Sequence, residues 1–82
     1  METLSRLAAL TEDLSQIKGD AAVLMQEHLE SARQYKMGSM PEEYLFNLRL
    51  VKQLAPAVED PAWRSRINDF LHSVEAEEGV TL

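Results

Sequence analysis

Apolar residues recur at a three-four spacing through the first part of the chain. With Leu7 as a heptad a position, the successive a and d positions are Leu7, Leu10, Leu14, Ile17, Ala21, Leu24, His28, Ser31 and Tyr35. Seven of these nine residues are apolar and the spacing is uninterrupted, which is typical of one continuous helix. The pattern therefore predicts a long first helix over residues 3–37.

Gly19 leaves a second interpretation open. In a continuous helix it lies on the outward f position, where glycine costs about 1 kcal/mol relative to alanine without disturbing the packing. Alternatively, the first helix ends at Gly19 and Asp20 caps a new one. The register is preserved across the glycine, and this favours the continuous helix.

A second helix is predicted after the break at Gly38. Ser39-Met40-Pro41-Glu42 has the pattern of a capping box, in which Ser39 accepts from the Glu42 amide and Glu42 reaches back. Proline in the first turn costs no intrahelical hydrogen bond. The predicted helix covers residues 40–55.

A third helix is predicted after the next pair of prolines. Pro56 ends the second helix, and Asp60 followed by Pro61 forms an N-cap with proline at the first helical position. The helix is predicted over residues 61–77, and the tail 79–82 is expected to be disordered.

These elements predict an all-α fold in a single domain over residues 1–82. The short connection at Gly38 makes the first two helices antiparallel neighbours. The helix lengths favour an antiparallel hairpin with a long first helix and a second arm broken into two helices. A compact three-helix bundle is the alternative.

The second helix is apolar on two sides. At 100° per residue, Tyr44, Leu48 and Val51 form one stripe, and a second stripe lies about 120° away around the helix axis. That second stripe consists of Phe46, Leu50 and Leu54. Because one neighbouring helix cannot cover both stripes, the second must receive the third helix or remain available to a partner.

Candidate protein-binding residues come from three places in the sequence. The narrow leucine seam at the N-terminal end requires one facing helix, from this chain or another. Trp63 lies beside two arginines in the first turn of the third helix, where it serves as core or as an interface anchor. With the second stripe, the candidates are Leu7, Leu10, Leu14, Ile17, Phe46, Leu50, Leu54 and Trp63.

Composition and charge exclude several classes of function. The chain has 14 acidic and 8 basic side chains, a net charge of −6, which argues against nucleic acid and anionic membranes as ligands. It has no cysteine for disulfides or thiolate metal sites. We find no apolar run that would insert stably into a bilayer and no signal peptide, so a cytoplasmic location is expected.

Catalytic chemistry is not indicated. His28 and His72 lack the spacing of metal-binding motifs. No candidate nucleophile is accompanied by a base at the spacing of a catalytic motif. Adjacent carboxylates on a helix point about 100° apart and do not converge on one substrate. We therefore expect a protein that is not an enzyme, with no cofactor and no metal.

Two short motifs resemble a known family. Thr3–Leu7, and Pro41–Tyr44 followed by Asn47 and Leu48, are similar to segments of the YscE/SsaE-like needle co-chaperones of type III secretion systems. The resemblance covers about the first 55 residues, and the third helix has no counterpart in it.

The resemblance implies a cytoplasmic co-chaperone. Members of the family pair with a larger helical-repeat chaperone and keep the needle subunit soluble before export, while some members serve translocator subunits. The alternative is a self-assembling, homodimeric coiled-coil structural protein that has no client. Both hypotheses require a protein partner, either a different chain or a second copy.

Overall fold

The first predicted helix is in fact two helices. In the computed structural model, which describes residues 2–82, α1 spans Glu2–Leu14 and α2 spans Asp20–Met37. Three successive amides, from Ser15 to Ile17, donate to carbonyls three residues earlier, in a tightened turn that ends α1. The continuous helix over residues 3–37 is therefore wrong.

Gly19 makes the reversal possible. Its φ of 121° lies in a region that residues with a side chain rarely adopt, so the chain can turn sharply here at glycine. The alternative prediction of a break at Gly19 is thus correct for the start of the next helix, but the first helix ends earlier than predicted, at Leu14. Gly19 itself is the N-cap of α2, however, and Asp20 is the first helical residue.

The remaining helices match the predictions to within one residue at each end. Helix α3 spans Pro41–Leu54, a short 3₁₀ turn spans Ala55–Ala57, and α4 spans Pro61–Glu78. The N-cap at Asp60 is confirmed, because its carboxylate accepts from the Ala62 amide at 2.9 Å. Residues 2–82 contain no strand, so the all-α class is confirmed.

The four helices run alternately up and down. Side-chain hydrogen bonds from Thr3 to Glu77 and from Arg66 to Asp13 show that α1 and α4 are antiparallel neighbours. The contacts of His28 with Asn47 and of Lys36 with Tyr44 show the same for α2 and α3. The break in the predicted second arm is confirmed, and the further break at Gly19 makes the two arms a bundle of four helices measuring 32 × 20 × 20 Å.

Each helix contributes one face to a common core. The buried apolar residues on the helices are Leu7, Leu10, Leu14, Ala22, Met25, Leu29, Ala32, Tyr44, Leu48, Val51, Ile67, Phe70, Leu71 and Val74. In α2 this face lies one residue beyond the predicted a and d positions. The predicted positions there, such as Leu24 and Tyr35, lie to the side of the core and are partly exposed.

Ser39 ends α2 and does not cap α3. Its φ is 58°, its amide donates to the Lys36 carbonyl, and the Met40 amide donates to the Tyr35 carbonyl at 2.9 Å. This is the hydrogen-bond pattern of a Schellman motif, with Ser39 at the left-handed position. The N-cap of α3 is Met40, without a side-chain cap, so the predicted capping box is wrong.

The C-terminal tail, predicted to be disordered, lies against the bundle instead. Gly79 closes α4 in the left-handed conformation and turns the chain back. The Leu82 amide then donates to Glu75 Oε2 at 2.7 Å, and Lys52 Nζ donates to the Leu82 carbonyl at 3.1 Å. The physical reason is that Leu82 packs against the core, an apolar contact that the tail sequence alone does not reveal.

We expect Ser39→Gly to stabilise the protein by about 0.5–1 kcal/mol, because glycine removes the steric cost of a left-handed residue at this position. Ser39→Ala should change stability little, since no cap hydrogen bond is lost. Urea unfolding of the variants measures both effects.

Gly79→Ala is the matched control, because Gly79 occupies the same kind of position in α4 and nothing lies within 4 Å of an added Cβ. Gly79→Ala should destabilise the protein by about 1 kcal/mol, because alanine is strained in the left-handed backbone conformation. A stabilising Ser39→Ala, or a destabilising Ser39→Gly, would contradict the assignment of Ser39 to the end of α2.

Candidate protein-binding surface

The structure separates the predicted binding residues into core and surface. Leu7, Leu10 and Leu14 are 0%, 2% and 0% exposed, because the other helices of the same chain cover the leucine seam. These three residues therefore do not contribute to an exposed surface. Phe46, in contrast, is 58% exposed, and Leu50 beside it is half-buried.

Three further predicted residues lie at the margin of the core. Ile17, Leu54 and Trp63 are half-buried and pack against it. Ile17 and Trp63 line a cleft of about 380 Å³ where the α1–α2 loop meets the start of α4. The Arg66 guanidinium lies 5.2 Å from the Trp63 ring centroid and covers part of the ring. Trp63 thus packs the end of the bundle more than it presents a free face.

Exposed apolar side chains lie along α2 and α3. A groove of about 780 Å³ runs between these helices, with Phe46 and Leu50 on α3 and His28, Ser31 and Tyr35 on α2. Leu24, 43% exposed, continues the α2 side by helical rotation. We call this surface the α2–α3 face; its residues are Leu24, His28, Ser31, Tyr35, Phe46 and Leu50.

A short polar network lies within the α2–α3 face. His28 Nδ1 lies 3.3 Å from Asn47 Oδ1, and Asn47 Nδ2 donates to the Glu43 carbonyl at 2.9 Å. Because the Asn47 amide nitrogen is used in this way, its oxygen faces His28 and accepts from Nδ1–H. The contact links α2 to α3 and fixes their relative register, as buried polar pairs do between helices.

Carboxylates border the α2–α3 face. Glu42 and Glu43 line the groove, together with Arg49. Asp20 and Glu27 are exposed on the outward side of Leu24, about 40° and 60° from it around the helix axis. The face is therefore an apolar strip with an acidic margin.

Tyr44 is a second candidate site, at the opposite end of the bundle from Trp63. Its side chain is 2% exposed and its hydroxyl has no hydrogen-bond partner within residues 2–82. Burial, and then the carboxylates of Glu78 and Glu77, raise the pKa of Tyr44 to about 12. The Lys36 ammonium lies 4.9 Å from the ring centroid. Because the Tyr44 phenol is buried and stays protonated at neutral pH, it is better suited to packing in the core than to binding or catalysis.

Neither a metal-binding cluster nor a membrane-spanning helix is found among the described residues. Within residues 2–82, no group of three or more histidine or carboxylate side chains is placed to hold a metal ion. None of the helices described has both the length and the apolar content to cross a bilayer.

Leu24, His28 and Tyr35 are surface residues that the sequence analysis placed in the helix seam. The signal that identifies them is the composition of two stripes one residue apart in α2. The stripe at Ala22, Met25, Leu29 and Ala32 is wholly apolar, whereas the neighbouring one includes His28 and Ser31. The wholly apolar stripe is the buried one.

Comparisons of the chain with protein-family models, with curated proteins and with solved structures give no match. The α2–α3 face is therefore interpreted from its own residues and geometry.

We expect Tyr44→Phe to stabilise the protein by about 1 kcal/mol at neutral pH, because the variant removes a buried hydroxyl without a partner. Above pH 10 the difference should grow. The unfolded chain releases the phenolic proton near pH 10 and the folded chain near pH 12, so the wild type loses stability as pH rises through this window. Urea unfolding at pH 8 and pH 11 measures both effects, with Tyr35→Phe as the control for a half-buried tyrosine.

The double variant Phe46→Ser with Leu50→Ser should lose less than about 2 kcal/mol of stability, because Phe46 projects into solvent and Leu50 is half-buried. Leu48→Ser, two residues from each, should cost about 3–5 kcal/mol because Leu48 is fully buried. Thermal and urea unfolding compare the two. Equal losses would mean that Phe46 and Leu50 belong to the core.

Proposed function

We propose that this protein is a non-enzymatic helical binding module that holds a helix of another protein on its α2–α3 face. The observation that carries the proposal is the exposure of Phe46, a large aromatic side chain, in a groove that Leu50 and Tyr35 also line, with Leu24 one turn further along α2. The core is complete without Phe46, so intrachain packing does not account for an aromatic residue at this position.

The shape of the face supports a helix as the ligand. Two antiparallel helices leave a groove between their axes, and a third helix can lay its apolar ridge into such a groove. Burial of a fully exposed large apolar side chain contributes roughly 1.5–3 kcal/mol. Phe46 and Leu24 are 58% and 43% exposed and Leu50 is half-buried, so each gains part of that value, and further contacts along the bound helix must meet the rest of the cost of association.

The more specific proposal is a type III secretion co-chaperone. The resemblance of Thr3–Leu7 and Pro41–Tyr44 to the YscE/SsaE-like family supports it. On this proposal the protein acts in the cytoplasm, pairs with a helical-repeat chaperone, and keeps a needle or translocator subunit soluble before export. A helical-repeat protein presents helices, which is the kind of ligand that the α2–α3 face fits.

The alternative of a self-assembling coiled coil loses its main support. The seam that would join two copies, Leu7, Leu10 and Leu14, is occupied by helices of the same chain. A homodimer would have to use the α2–α3 face, and this is an outcome that the experiment below separates.

Photo-crosslinking in the native host tests the proposal. A benzophenone side chain is placed at Phe46, or at Leu50, and as the control at Asp69, which is exposed on α4. We expect a crosslink from the first two positions to a helix of one partner, mapped by mass spectrometry, and none from Asp69. Leu24→Asp should abolish the crosslink, whereas His72→Asp on α4 should not.

The outcomes distinguish the levels of the proposal. A mapped helix in a helical-repeat chaperone or a secreted subunit supports the secretion role, and a helix in an unrelated protein contradicts that role alone. Crosslinks to a second copy of this chain support the homodimer instead. Equal crosslinking from Phe46 and Asp69, or none from Phe46, contradicts a binding role for this face.

A further inference from the structure

The charges around the α2–α3 face indicate more about its ligand than the apolar strip does. Glu42 and Glu43 line the groove at α3, and Asp20 and Glu27 follow the outer side of the α2 stripe. Arg49 is the cation among the residues that line the groove. With these five side chains the margin carries a net charge of −3.

None of the four carboxylates forms an ion pair within residues 2–82, although Asp20, Glu42 and Glu43 lie in the first turns of their helices, where a negative charge is favourable. The ion pairs in residues 2–82 join Arg33 to Glu30, Lys36 to Glu78, and Arg66 to Asp13. None of them includes a carboxylate of the α2–α3 face, and Arg49 is outside them too. The margin therefore stays acidic in the folded protein and its charge is available to a ligand.

The floor of the groove also favours a donor on the ligand. The side-chain oxygen of Asn47 accepts a hydrogen bond from Nδ1–H of His28. In the neutral ring, Nε2 of His28 therefore carries the lone pair. His28 lines the groove and is half-buried, and Nε2 makes no hydrogen bond within residues 2–82. The carboxylates of the margin and the Nε2 lone pair of His28 are both hydrogen-bond acceptors, so both complement a ligand rich in N–H donors.

Given the proposed function, we propose that the helix held on the α2–α3 face is a basic amphipathic helix. Its apolar stripe contacts Phe46 and Leu50, and lysine or arginine residues flank that stripe. Complementary charge of this kind sets partner choice and speeds association. The same margin disfavours a second copy of this chain, because two faces in contact would bring −3 against −3.

Two synthetic helical peptides test the inference with the intact protein. Both carry the same leucine stripe at i, i+4, i+7 and i+11, and they differ in having lysine or glutamate at every flanking position. We expect the lysine peptide to bind at least roughly tenfold more tightly, with NMR shift changes on the α2–α3 face and an affinity that falls as salt is added.

Charge reversal on the protein provides the matched controls. The double variant Glu42→Lys with Glu43→Lys should bind the lysine peptide roughly tenfold more weakly than the wild type does, and should bind the glutamate peptide more tightly. Glu12→Lys with Asp69→Lys makes the same change in net charge on exposed positions of α1 and α4, and should leave the preference for the lysine peptide in place. Circular dichroism confirms that each variant is folded.

Each other result overturns the inference in a distinguishable way. Equal binding of both peptides at the face contradicts the basic ligand but leaves the proposed function intact. Absence of binding by either peptide contradicts both. A concentration-dependent dimer in sedimentation that Phe46→Ser dissociates identifies a second copy as the occupant. Loss of the lysine preference in the Glu12 and Asp69 variant shows that net charge, not the margin, determines binding.

Discussion

The turn between α1 and α2 is the constraint on which the rest of the structure depends. A helix continued from residue 3 to residue 37 would be about 50 Å long, whereas the bundle measures 32 Å along its longest axis. The tightened turn after Leu14 and the positive φ of Gly19 fold α1 back instead. Leu7, Leu10 and Leu14 then enter the core, each with a contribution of roughly 1.5–3 kcal/mol from burial.

The same turn creates the α2–α3 face. Once α1 packs against the bundle, α2 presents Ala22, Met25, Leu29 and Ala32 to the core, one residue beyond the heptad positions counted from Leu7. A shift of one residue rotates the helix by about 100°, so the stripe from Leu24 to Tyr35 moves to the outer edge. There it meets Phe46 and Leu50, the stripe of α3 that the core leaves uncovered. The candidate surface therefore consists of two stripes that lie at the edge of the core and are only partly buried by it.

The sequence predicts the elements of this fold better than their pairing. The Asp60–Pro61 start and the ends of α3 and α4 follow from local chemistry, which acts over a few residues and is visible in the sequence. The break at Gly19 is harder to predict, because a heptad count treats Ala21, His28 and Ser31 as equal to leucine. The tail is missed for a related reason: Leu82 is ordered by a contact with the distant bundle. Phe46 and Leu50 could be predicted as a surface, while Leu24, His28 and Tyr35 required the relative rotation of two helices.

Stability and binding make different demands on the two sides of α3. The stripe at Tyr44, Leu48 and Val51 is fully committed to the core, even at the cost of a Tyr44 hydroxyl without a partner. The other stripe keeps Phe46 more than half exposed, so that it contributes little to folding, and an exposed apolar side chain favours self-association. Carboxylates at the margin oppose that association through like-charge repulsion between copies. On the proposed function, an acidic border around an apolar strip would therefore disfavour pairing between copies and favour a helix of opposite charge.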